Sequence, residues 1–250
     1  MIPSSDEMSG AGMQFAPDAL LPTIHWLVTG ADRIPWAAGE RQDTGILSPR
    51  EWERWQALKT GKRRRDWLAG RWAAKRLLQP LLPAAGVSRP LDTIVIVNNP
   101  DGAPRVEGFP GISLSISHAG MLAAAAAVIA PGCAVGIDLE VIAPRTAVFT
   151  GDYFTAEERQ QVEHAPPIWR TTQVNAIWSA KESALKALGV GLRVDTRAVS
   201  CRFEAFSQPP TAWTEFTVRL DAARLGGDLP TLHGWWRVIP GYVLTLILGT

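Results

Sequence analysis

The sequence predicts a mixed α/β or α+β protein, and three observations indicate this fold class. Its 250 residues are 46% hydrophobic and 20% charged, enough apolar material for one large or two small packed domains. Segments with strand and helix patterns are interspersed along the chain rather than separated into blocks. Similar motifs also recur in the two halves of the chain. This composition excludes a disordered chain, a collagen and a disulfide-rich miniprotein.

Hydrophobic periodicity and turn residues predict the elements in chain order. A strand over residues 23–28 comes first, followed by a capped helix over 48–58 and a long helix over 64–82. A strand over 93–97 then ends in a turn that contains Asn98 and Gly102. The second part of the chain has strands over 112–117, 122–129 and 134–140, helices over 155–163 and 171–188, and strands over 199–203, 216–220, 233–238 and 242–248.

One uncharged stretch, residues 119–137, approaches the length of a membrane span. It is rich in alanine, and Pro131-Gly132 divides it with a turn signal. We therefore expect two buried strands that form a hairpin with each other, and no membrane helix.

The net charge is only +1, so no global field would attract nucleic acid or an anionic membrane. Any anion site must be local, and the segment 59–76 has eight basic residues against one acid, Asp66. This basic segment is a solvated helix face, a nucleic-acid contact or a binding site for a small anion. Cys133 and Cys201 show neither a CxxC motif nor a metal-ligand spacing, and the N-terminus has no apolar signal region, so we expect inert thiols in the cytoplasm.

Two pairs of segments indicate an internal repeat. Leu47-Ser48-Pro49-Arg50-Glu51 is echoed by Phe154-Thr155-Ala156-Glu157-Glu158. Trp67-x-x-Gly70-Arg71-x-x-x-Lys75 is echoed by Trp178-x-x-Lys181-Glu182-x-x-x-Lys186. A chance likeness between two amphipathic helices is the alternative. The repeat predicts two related halves, each with a short capped helix, a long helix and a few strands.

Two carboxylates, Asp138 and Glu140, lie two positions apart at the end of an apolar strand. Because strand side chains alternate, both project from the same face. Two like charges this close need a cation or a proton between them, and an oxygen-rich pair with open positions suits Mg²⁺. A solvated strand end with two unrelated acids is the alternative.

A second charged group lies on the helix predicted over 171–188. Glu182 and Lys186 are i,i+4 neighbours on one face, and Lys181 lies beside them. A surface salt bridge would give the same pattern. Only five of the 25 basic residues are lysines, however, and two of them flank this glutamate. An ammonium suits the neutralisation of a phosphate, and a glutamate near Mg²⁺ can ligate the metal or act as a general base.

The strand predicted over 112–117 ends in Ser117-His118, before a small residue and a glycine. A histidine at a strand end is more often structural. Beside a hydroxyl and a glycine turn it can equally hydrogen-bond a phosphate.

Jointly, these motifs resemble the 4′-phosphopantetheinyl transferases, specifically the longer Sfp-type enzymes built from two pseudo-repeated halves. The resemblance rests on Gly136-Ile137-Asp138-Leu139-Glu140, followed about forty residues later by Trp178-Ser179-x-Lys181-Glu182-Ser183-x-x-Lys186. It extends to Ser117-His118, Phe154-Thr155, Leu47-Ser48-Pro49 and Leu68-Ala69-Gly70-Arg71.

The resemblance implies transfer of the 4′-phosphopantetheine arm from coenzyme A to a serine of an apo acyl or peptidyl carrier protein, with release of adenosine 3′,5′-bisphosphate. It implies that Asp138, Glu140 and Glu182 hold Mg²⁺ or Mn²⁺, and that Glu182 also deprotonates the serine. Lys186 and Lys181 would neutralise the phosphate under attack. The nucleotide end of the coenzyme would be held by Arg54, Arg64, Arg65, Arg71, Ser117 and His118. Residues 144–170 would dock the carrier.

These expectations give a domain plan with pseudo-twofold symmetry. Residues 1–20 form a tail, residues 21–120 form the half on the nucleotide side, and residues 121–250 form the half with the metal and catalytic residues. The last strands could pack back on the first half. We expect a cytoplasmic monomer with no nucleic-acid or membrane partner. Ala103 and Ala119 replace a lysine and a serine found in many members of the family, so an inactive or weak coenzyme A binding protein is the alternative.

Overall fold

The structure is a computed structural model that describes residues 13–15, 20–34, 45–83 and 88–250. It has two compact units, residues 1–131 and 132–250, each of which contains both helices and antiparallel sheet. The predicted α+β class is therefore confirmed. The structural boundary lies after Pro131 rather than at the predicted position 120/121, because the strand that begins at Leu122 pairs inside the first unit.

The elements of the first unit are β1 (Met13–Phe15), β2 (Ile24–Gly30), α1 (Pro49–Gln56), α2 (Gly61–Leu78), β3 (Ile96–Asn98), β4 (Pro104–Val106), β5 (Ile112–Ala119) and β6 (Leu122–Ile129). Its four-stranded antiparallel sheet has the strand order β1-β2-β6-β5, and β3 and β4 form a separate hairpin. Most of the tail predicted over 1–20 lies outside the described residues, but three residues of it form β1, which pairs with β2.

Alanines in β6 allow α2 to pack closely on the sheet of the first unit. Ala123, Ala125 and Ala127 are fully buried in one hydrophobic cluster with residues of α2 such as Ala73 and Leu77. The uncharged stretch thus contains a core strand of the first unit, the unit boundary and the first residues of the next strand. None of the described helices combines the length and the apolar character that a membrane crossing requires.

The predicted hairpin across Pro131-Gly132 is wrong. β6 pairs with β2 and β5, whereas the strand that follows, β7 (Ala134–Val141), pairs in the second unit. The Pro-Gly turn signal was correct as a strand boundary, but it does not specify which strands pair.

Besides β7, the elements of the second unit are α3 (Ala147–Tyr153), α4 (Ala156–His164), α5 (Arg170–Ala187), β8 (Val199–Phe203), β9 (Thr214–Leu220), α6 (Ala222–Leu225), β10 (Leu232–Ile239) and β11 (Tyr242–Gly249). Its five-stranded antiparallel sheet has the strand order β7-β11-β10-β9-β8. The last two strands, β10 and β11, pair with each other, and β11 also pairs with β7. Helix α3 was not predicted from the sequence.

The two units share one chain order. In each, a strand (β2 or β7) precedes a short helix with a capping box, a long helix and further strands, and in the second unit α3 is an additional helix between β7 and α4. The last strand, β6 or β11, pairs with β2 or β7 and with the strand just before it. Both short helices begin with a capping box, in which Ser48 and Thr155 are the caps and Glu51 and Glu158 are the acidic partners. The internal repeat is therefore present in the connectivity of the units.

The register predicted for the two long helices needs a correction. Glu51 forms a buried ion pair with Lys75, and Glu158 forms one with Lys181. Each glutamate also accepts a backbone hydrogen bond from a strand, from the N–H of Ile96 or of Cys201. Lys75 therefore corresponds to Lys181, not to Lys186 as the sequence pattern indicated.

Candidate active site

Helix α5 approaches β7 closely, which places Asp138 and Glu140 beside the helix that contains Glu182 and Lys186. Because these two segments contain the paired family motif, we call β7 the signature strand and α5 the signature helix. A Cβ atom added to Gly136 would lie 1.8 Å from the carbonyl oxygen of Ser183 on α5. Because strand side chains alternate, Asp138 and Glu140 share the face of Gly136 and point to the side on which α5 packs. Glycine at position 136 is thus what lets the helix backbone reach the strand.

Lys186 and Asp138 form the contact at the centre of this site. The ammonium of Lys186 donates to Oδ1 of Asp138 at 2.7 Å and to the carbonyl oxygen of Ile137 at 3.0 Å. The Asp138 side chain is 6% exposed and the Lys186 side chain 27% exposed. The site therefore holds a cation at a buried strand end, with one side open to solvent.

Glu140 lies next to this pair and is held by a residue that the sequence did not single out. Its Oε2 accepts a hydrogen bond from Nη2 of Arg145 at 2.8 Å. Burial, and then the charge of Asp138, raise the pKa of Glu140 to about 7, although Arg145 and a hydrogen bond from Trp178 act in the opposite direction. Burial and the charge of Asp138 thus destabilise the charged form of Glu140 more than its two partners stabilise it.

Glu182 is the carboxylate that α5 contributes. Burial raises its pKa above the usual range, and the charge of Asp138 raises it further, while Lys186 lowers it. The structure thus brings four predicted residues into one electrostatic group: Asp138, Glu140, Glu182 and Lys186.

The three carboxylates provide the hard oxygen donors that Mg²⁺ prefers. The charge of Asp138 raises the pKa values of both Glu140 and Glu182, as expected of a site that needs a cation. In its chemistry the donor set fits a divalent ion. As placed, however, Asp138 and Glu140 are each paired with a cationic side chain. Within the described residues, no three His, Cys, Asp or Glu side chains form a group that could hold a metal ion. The donors are present but not assembled.

Lys181 does not fit the predicted phosphate contact. Its side chain is fully buried, its ammonium lies 2.9 Å from Oε2 of Glu158, and it donates to the carbonyl oxygens of Thr196 and Val199. These three acceptors match the three N–H groups of an ammonium. Lys181 therefore joins α4, α5 and the start of β8, on the side of α5 that faces the core.

The first unit has a cavity of about 430 Å³ beside the start of α2. Two predicted residues, Arg71 and His118, line it, and so do Lys62, Arg63 and Trp67. One acid, Asp66, also lines the cavity and pairs with Lys62 at 2.7 Å. Three basic side chains against one acid leave the cavity with a net positive charge, which suits an anion.

Arg71 is the buried cation of this cavity. Its Nη2 donates to Oδ1 of Asn98 at 2.8 Å, its Nε lies 3.4 Å from Oε1 of Glu51, and its guanidinium lies 4.6 Å from the centre of the Trp67 ring. Burial lowers the pKa of Arg71 to about 10, with Glu51 opposing the shift, so the side chain remains charged at neutral pH. The guanidinium is therefore fixed before any ligand binds.

The other predicted nucleotide contacts do not line this cavity. The guanidinium of Arg64 donates to the carbonyl oxygens of Leu58 and Gln56 and so ties the start of α2 to the end of α1. Arg54 and Arg65 are exposed, and Ser117 is 7% exposed on β5. Their predicted roles stay predictions that this geometry does not support.

Comparison with known protein families separates the chain where the structure does. Residues 55–128 match the 4′-phosphopantetheinyl transferase N-terminal domain, and residues 134–235 match the 4′-phosphopantetheinyl transferase superfamily. Together these two matches cover well over half of the chain. The chain belongs to the 4′-phosphopantetheinyl transferase superfamily.

Proteins named holo-[acyl-carrier-protein] synthase or 4′-phosphopantetheinyl transferase are similar to this chain. The holo-[acyl-carrier-protein] synthase of Streptococcus thermophilus is 38% identical over 78 residues, which are 30% of this chain and 65% of that protein. A 4′-phosphopantetheinyl transferase of Bacillus pumilus is 28% identical over 48% of this chain and 50% of its own length. A 4′-phosphopantetheinyl transferase of Bacillus subtilis is 29% identical over 41% of this chain and 45% of its own length. The chain thus spans less than two thirds of the length of these relatives.

A solved holo-(acyl-carrier-protein) synthase from Bacillus anthracis, in complex with CoA (3′,5′-ADP), is also similar. The two sequences are 16% identical, and the superposed region covers 46% of this protein and 93% of the synthase chain, with a TM-score of 0.36. This likeness is too low to add to the superfamily assignment.

In the second unit, sequence reasoning missed Arg145 as the partner of Glu140. In the first unit it missed Lys62, Arg63 and Trp67 as cavity residues. Lys62 and Arg63 were part of the basic segment, so a charge signal existed, but it did not show which side chains line the cavity. Arg145 lies outside the quoted motifs, in the segment 144–170 that was expected only to dock the carrier, and no signal in a single sequence indicates that it pairs with Glu140.

Proposed function

We propose that this protein transfers the 4′-phosphopantetheine group from coenzyme A to a serine of an apo acyl or peptidyl carrier protein and releases adenosine 3′,5′-bisphosphate. The observation that carries the proposal is the group on β7 and α5, where Lys186 pairs with Asp138 beside Glu182 and Glu140. It lies in the segment that matches the superfamily, and relatives of that segment are named holo-[acyl-carrier-protein] synthase and 4′-phosphopantetheinyl transferase.

Glu182 is the proposed general base toward the carrier serine. A carboxylate is a weak base at its ordinary pKa, and a base works best when its pKa approaches the working pH. Burial and the neighbouring Asp138 raise the pKa of Glu182 in that direction. Its role is to accept the hydroxyl proton as the serine oxygen attacks the phosphorus atom.

Lys186 is the proposed neutraliser of the phosphate under attack. Phosphoryl transfer asks little covalent chemistry of a protein and mostly needs positioning and charge neutralisation. Asp138 and the carbonyl oxygen of Ile137 orient the ammonium with two hydrogen bonds, so one of its three N–H groups can serve a phosphate oxygen. The cation is thus held in place before the reaction.

The cavity of the first unit is the proposed site for the anionic nucleotide end of coenzyme A. Lys62, Arg63 and Arg71 supply positive charge, His118 can donate a hydrogen bond, and Trp67 offers an aromatic face. Ala103 and Ala119 replace a lysine and a serine that many members of the family have. The cavity keeps its positive charge without them, because its basic side chains lie on α2.

A divalent ion, Mg²⁺ or Mn²⁺, is proposed on the carboxylates of Asp138, Glu140 and Glu182. When bound, it would neutralise oxygens of the pyrophosphate and so stabilise the charge that develops on transfer. The donor chemistry supports this assignment, and the ion must displace cationic side chains that now hold two of the donors.

Incubation with coenzyme A, Mg²⁺ and several apo carrier proteins, followed by mass spectrometry of the carriers, tests the proposal. We expect one carrier serine to gain one 4′-phosphopantetheine group, and chelation of divalent ions with EDTA to abolish the gain. Glu182→Gln should lower kcat by about 100-fold or more, the size expected for loss of a general base. Glu215→Gln, at an exposed position on β9 outside the segments assigned to the site, the cavity or carrier docking, is the matched control and should act like the wild type.

No mass gain on any carrier would contradict the transferase proposal. Binding of coenzyme A without any transfer would then favour the alternative of an inactive binding protein. Transfer that continues in EDTA would contradict the metal assignment alone.

A cytoplasmic location and a monomeric state complete the proposal. Coenzyme A and apo carrier proteins are intracellular substrates, and the two cysteines carry no disulfide. Light scattering on the purified protein should give the mass of one 27.1 kDa chain.

A further inference from the structure

The segment between β7 and α3 contains an arginine that is tied into the site more firmly than a surface residue. The guanidinium of Arg145 donates from Nη2 to Glu140 at 2.8 Å and from Nε to Oδ1 of Asn175 at 3.2 Å. It also lies 5.0 Å from the centre of the Phe149 ring on α3. Residues of three different elements, β7, α3 and α5, therefore hold the Arg145 guanidinium beside Glu140.

Asn175 determines how Arg145 is held. This residue is fully buried on α5, and its Nδ2 donates to the carbonyl oxygens of Ala143 and Thr171, each at 2.8 Å. With both amide hydrogens used, the side-chain oxygen is left to accept from Arg145. The orientation of the amide, and with it the position of the guanidinium, is thus set by the backbone.

Trp178 also donates a hydrogen bond to the Glu140 carboxylate, which acts against the rise in the pKa of Glu140. The Trp178 ring packs edge-on against Phe149, with ring centres 4.9 Å apart. Glu140, Arg145, Phe149 and Trp178 therefore form a closed circuit of contacts that joins β7, α3 and α5. The side chains of Arg145 and Glu140 are 30% and 20% exposed, so solvent weakens their pairing much less than that of a surface pair.

We propose that Arg145 is a resident counter-ion of Glu140, which holds the carboxylate in the metal-free protein and competes with a divalent ion for it. The inference rests on the metal assignment in the proposed function and adds a positioning residue to it. Because Asn175 and Phe149 hold the guanidinium in place, a bound ion must either draw Glu140 away from Arg145 or lie within reach of its positive charge. Either way, Arg145 lowers the affinity of the site for divalent ions.

Calorimetric titration of the full chain with Mn²⁺ or Mg²⁺ alone, at a pH well above the pKa of Glu140, tests this competition. Arg145→Gln removes the charge but keeps polar atoms near Glu140 and Asn175. We expect it to bind the ion on the order of tenfold more tightly than the wild type, because one nearby positive charge is lost from a half-buried site. Arg145→Lys keeps the charge and should stay close to the wild type.

Arg202→Gln is the matched control, since it also removes one positive charge. Arg202 is exposed on β8, the edge strand opposite β7 and four strands away, or roughly 19 Å at the usual strand spacing. That is beyond the screening length of about 8 Å in physiological salt, so ion affinity should not change.

The direction of the effect separates this role from a merely structural one. A residue that only supports the site would weaken ion binding when replaced. Equal or weaker binding in Arg145→Gln, with the wild type binding, would overturn the inference and leave the metal assignment intact. If neither protein binds a divalent ion, the metal assignment fails and the inference fails with it, whereas the carrier mass test still decides the transfer activity. Should Arg145→Gln not fold, Arg145→Ala is to be judged by the same criterion.

Discussion

At the scale of single residues, Gly136 decides whether the signature strand and the signature helix can meet. An added methyl group would lie 1.8 Å from the Ser183 carbonyl oxygen, and this atom belongs to the helix backbone and cannot rotate away. We predict that Gly136→Ala destabilises the protein by about 3 kcal/mol, at the upper end for overpacking of a core. Urea unfolding followed by circular dichroism measures the change.

Gly151→Ala provides the matched control on α3. A Cβ atom there meets nothing within 4 Å, and alanine has the higher helix propensity. This variant should gain roughly 0.5–1 kcal/mol. If Gly136→Ala were as stable as Gly151→Ala, the close approach of α5 to β7 would be wrong.

The residues also show how far one sequence can predict a site. The period of two in β7 correctly placed Asp138 and Glu140 on one face, and the helical spacing of Glu182 and Lys186 correctly placed them together. The neighbouring Lys181 points into the core, because successive helix positions differ by about 100° and spacing does not show which face is buried. The contact between Arg145 and Glu140 depends on the path of the irregular segment between β7 and α3, and no periodicity in the sequence predicts that path.

At the scale of secondary structure, the buried pair of Lys181 and Glu158 joins α4, α5 and β8. Loss of one charge leaves the other buried and unpaired, so Lys181→Met should cost about 3–5 kcal/mol of stability. Adding Glu158→Gln removes the orphaned charge while an oxygen remains to accept from the Cys201 N–H. We predict that the double variant recovers at least about half of the lost stability, measured by thermal unfolding.

The same double variant tests the role of Lys181 in transfer. If the lysine only joins these elements, kcat per folded molecule should stay within about threefold of the wild type. A lysine that contacted the phosphate would instead cost on the order of 100-fold, whatever residue stood at position 158. Such a loss in the well-folded double variant would restore the phosphate role predicted from the sequence.

Elements were predicted better than their pairing. The bounds predicted for β6, β7, α4 and α5 agree with the structure to within about one or two residues, because each has clear periodicity or a clear cap. The partner of β6 was wrong, since hydrogen-bonded pairing joins β6 to β2 across about a hundred residues of chain. A local turn signal contains no information about such a distant partner.

At the scale of the whole molecule, the two units repeat one topology but differ in the chemistry at equivalent positions. Ala125 and Thr245 are each the fourth residue of the last strand in their unit. Ala125 pairs with Leu27 of β2, and Thr245 pairs with Asp138 of β7, so Leu27 corresponds to Asp138. By the same register, Thr29 corresponds to Glu140. With Lys75 equivalent to Lys181, Arg76 corresponds to Glu182. The first unit therefore has no carboxylates at the positions equivalent to the site of the second. The charged residues that line its own cavity are three basic side chains and one acid, Asp66.

This division predicts that changes in the first unit affect coenzyme binding and that changes in the signature of the second affect turnover. Arg63 and Arg65 offer a sharp comparison, because both are exposed arginines near the start of α2, yet only Arg63 lines the cavity. A charge-assisted hydrogen bond to a phosphate is worth about 1.5 kcal/mol or more, which is roughly tenfold in affinity. Arg63→Ala should therefore raise the Kd for adenosine 3′,5′-bisphosphate and the KM for coenzyme A about tenfold, with kcat at saturation unchanged.

Arg65→Ala removes the same charge from the same helix and should change both constants less than about twofold, because an exposed charge outside the cavity is screened by solvent and salt. Calorimetry with adenosine 3′,5′-bisphosphate gives Kd without turnover, and carrier labelling at varied coenzyme A gives KM and kcat. Equal effects of the two substitutions would mean that the nucleotide senses only the general charge of α2. A fall in kcat for Arg63→Ala at saturating coenzyme A would mean that the first unit takes part in the transfer step, and the division between the units would be wrong.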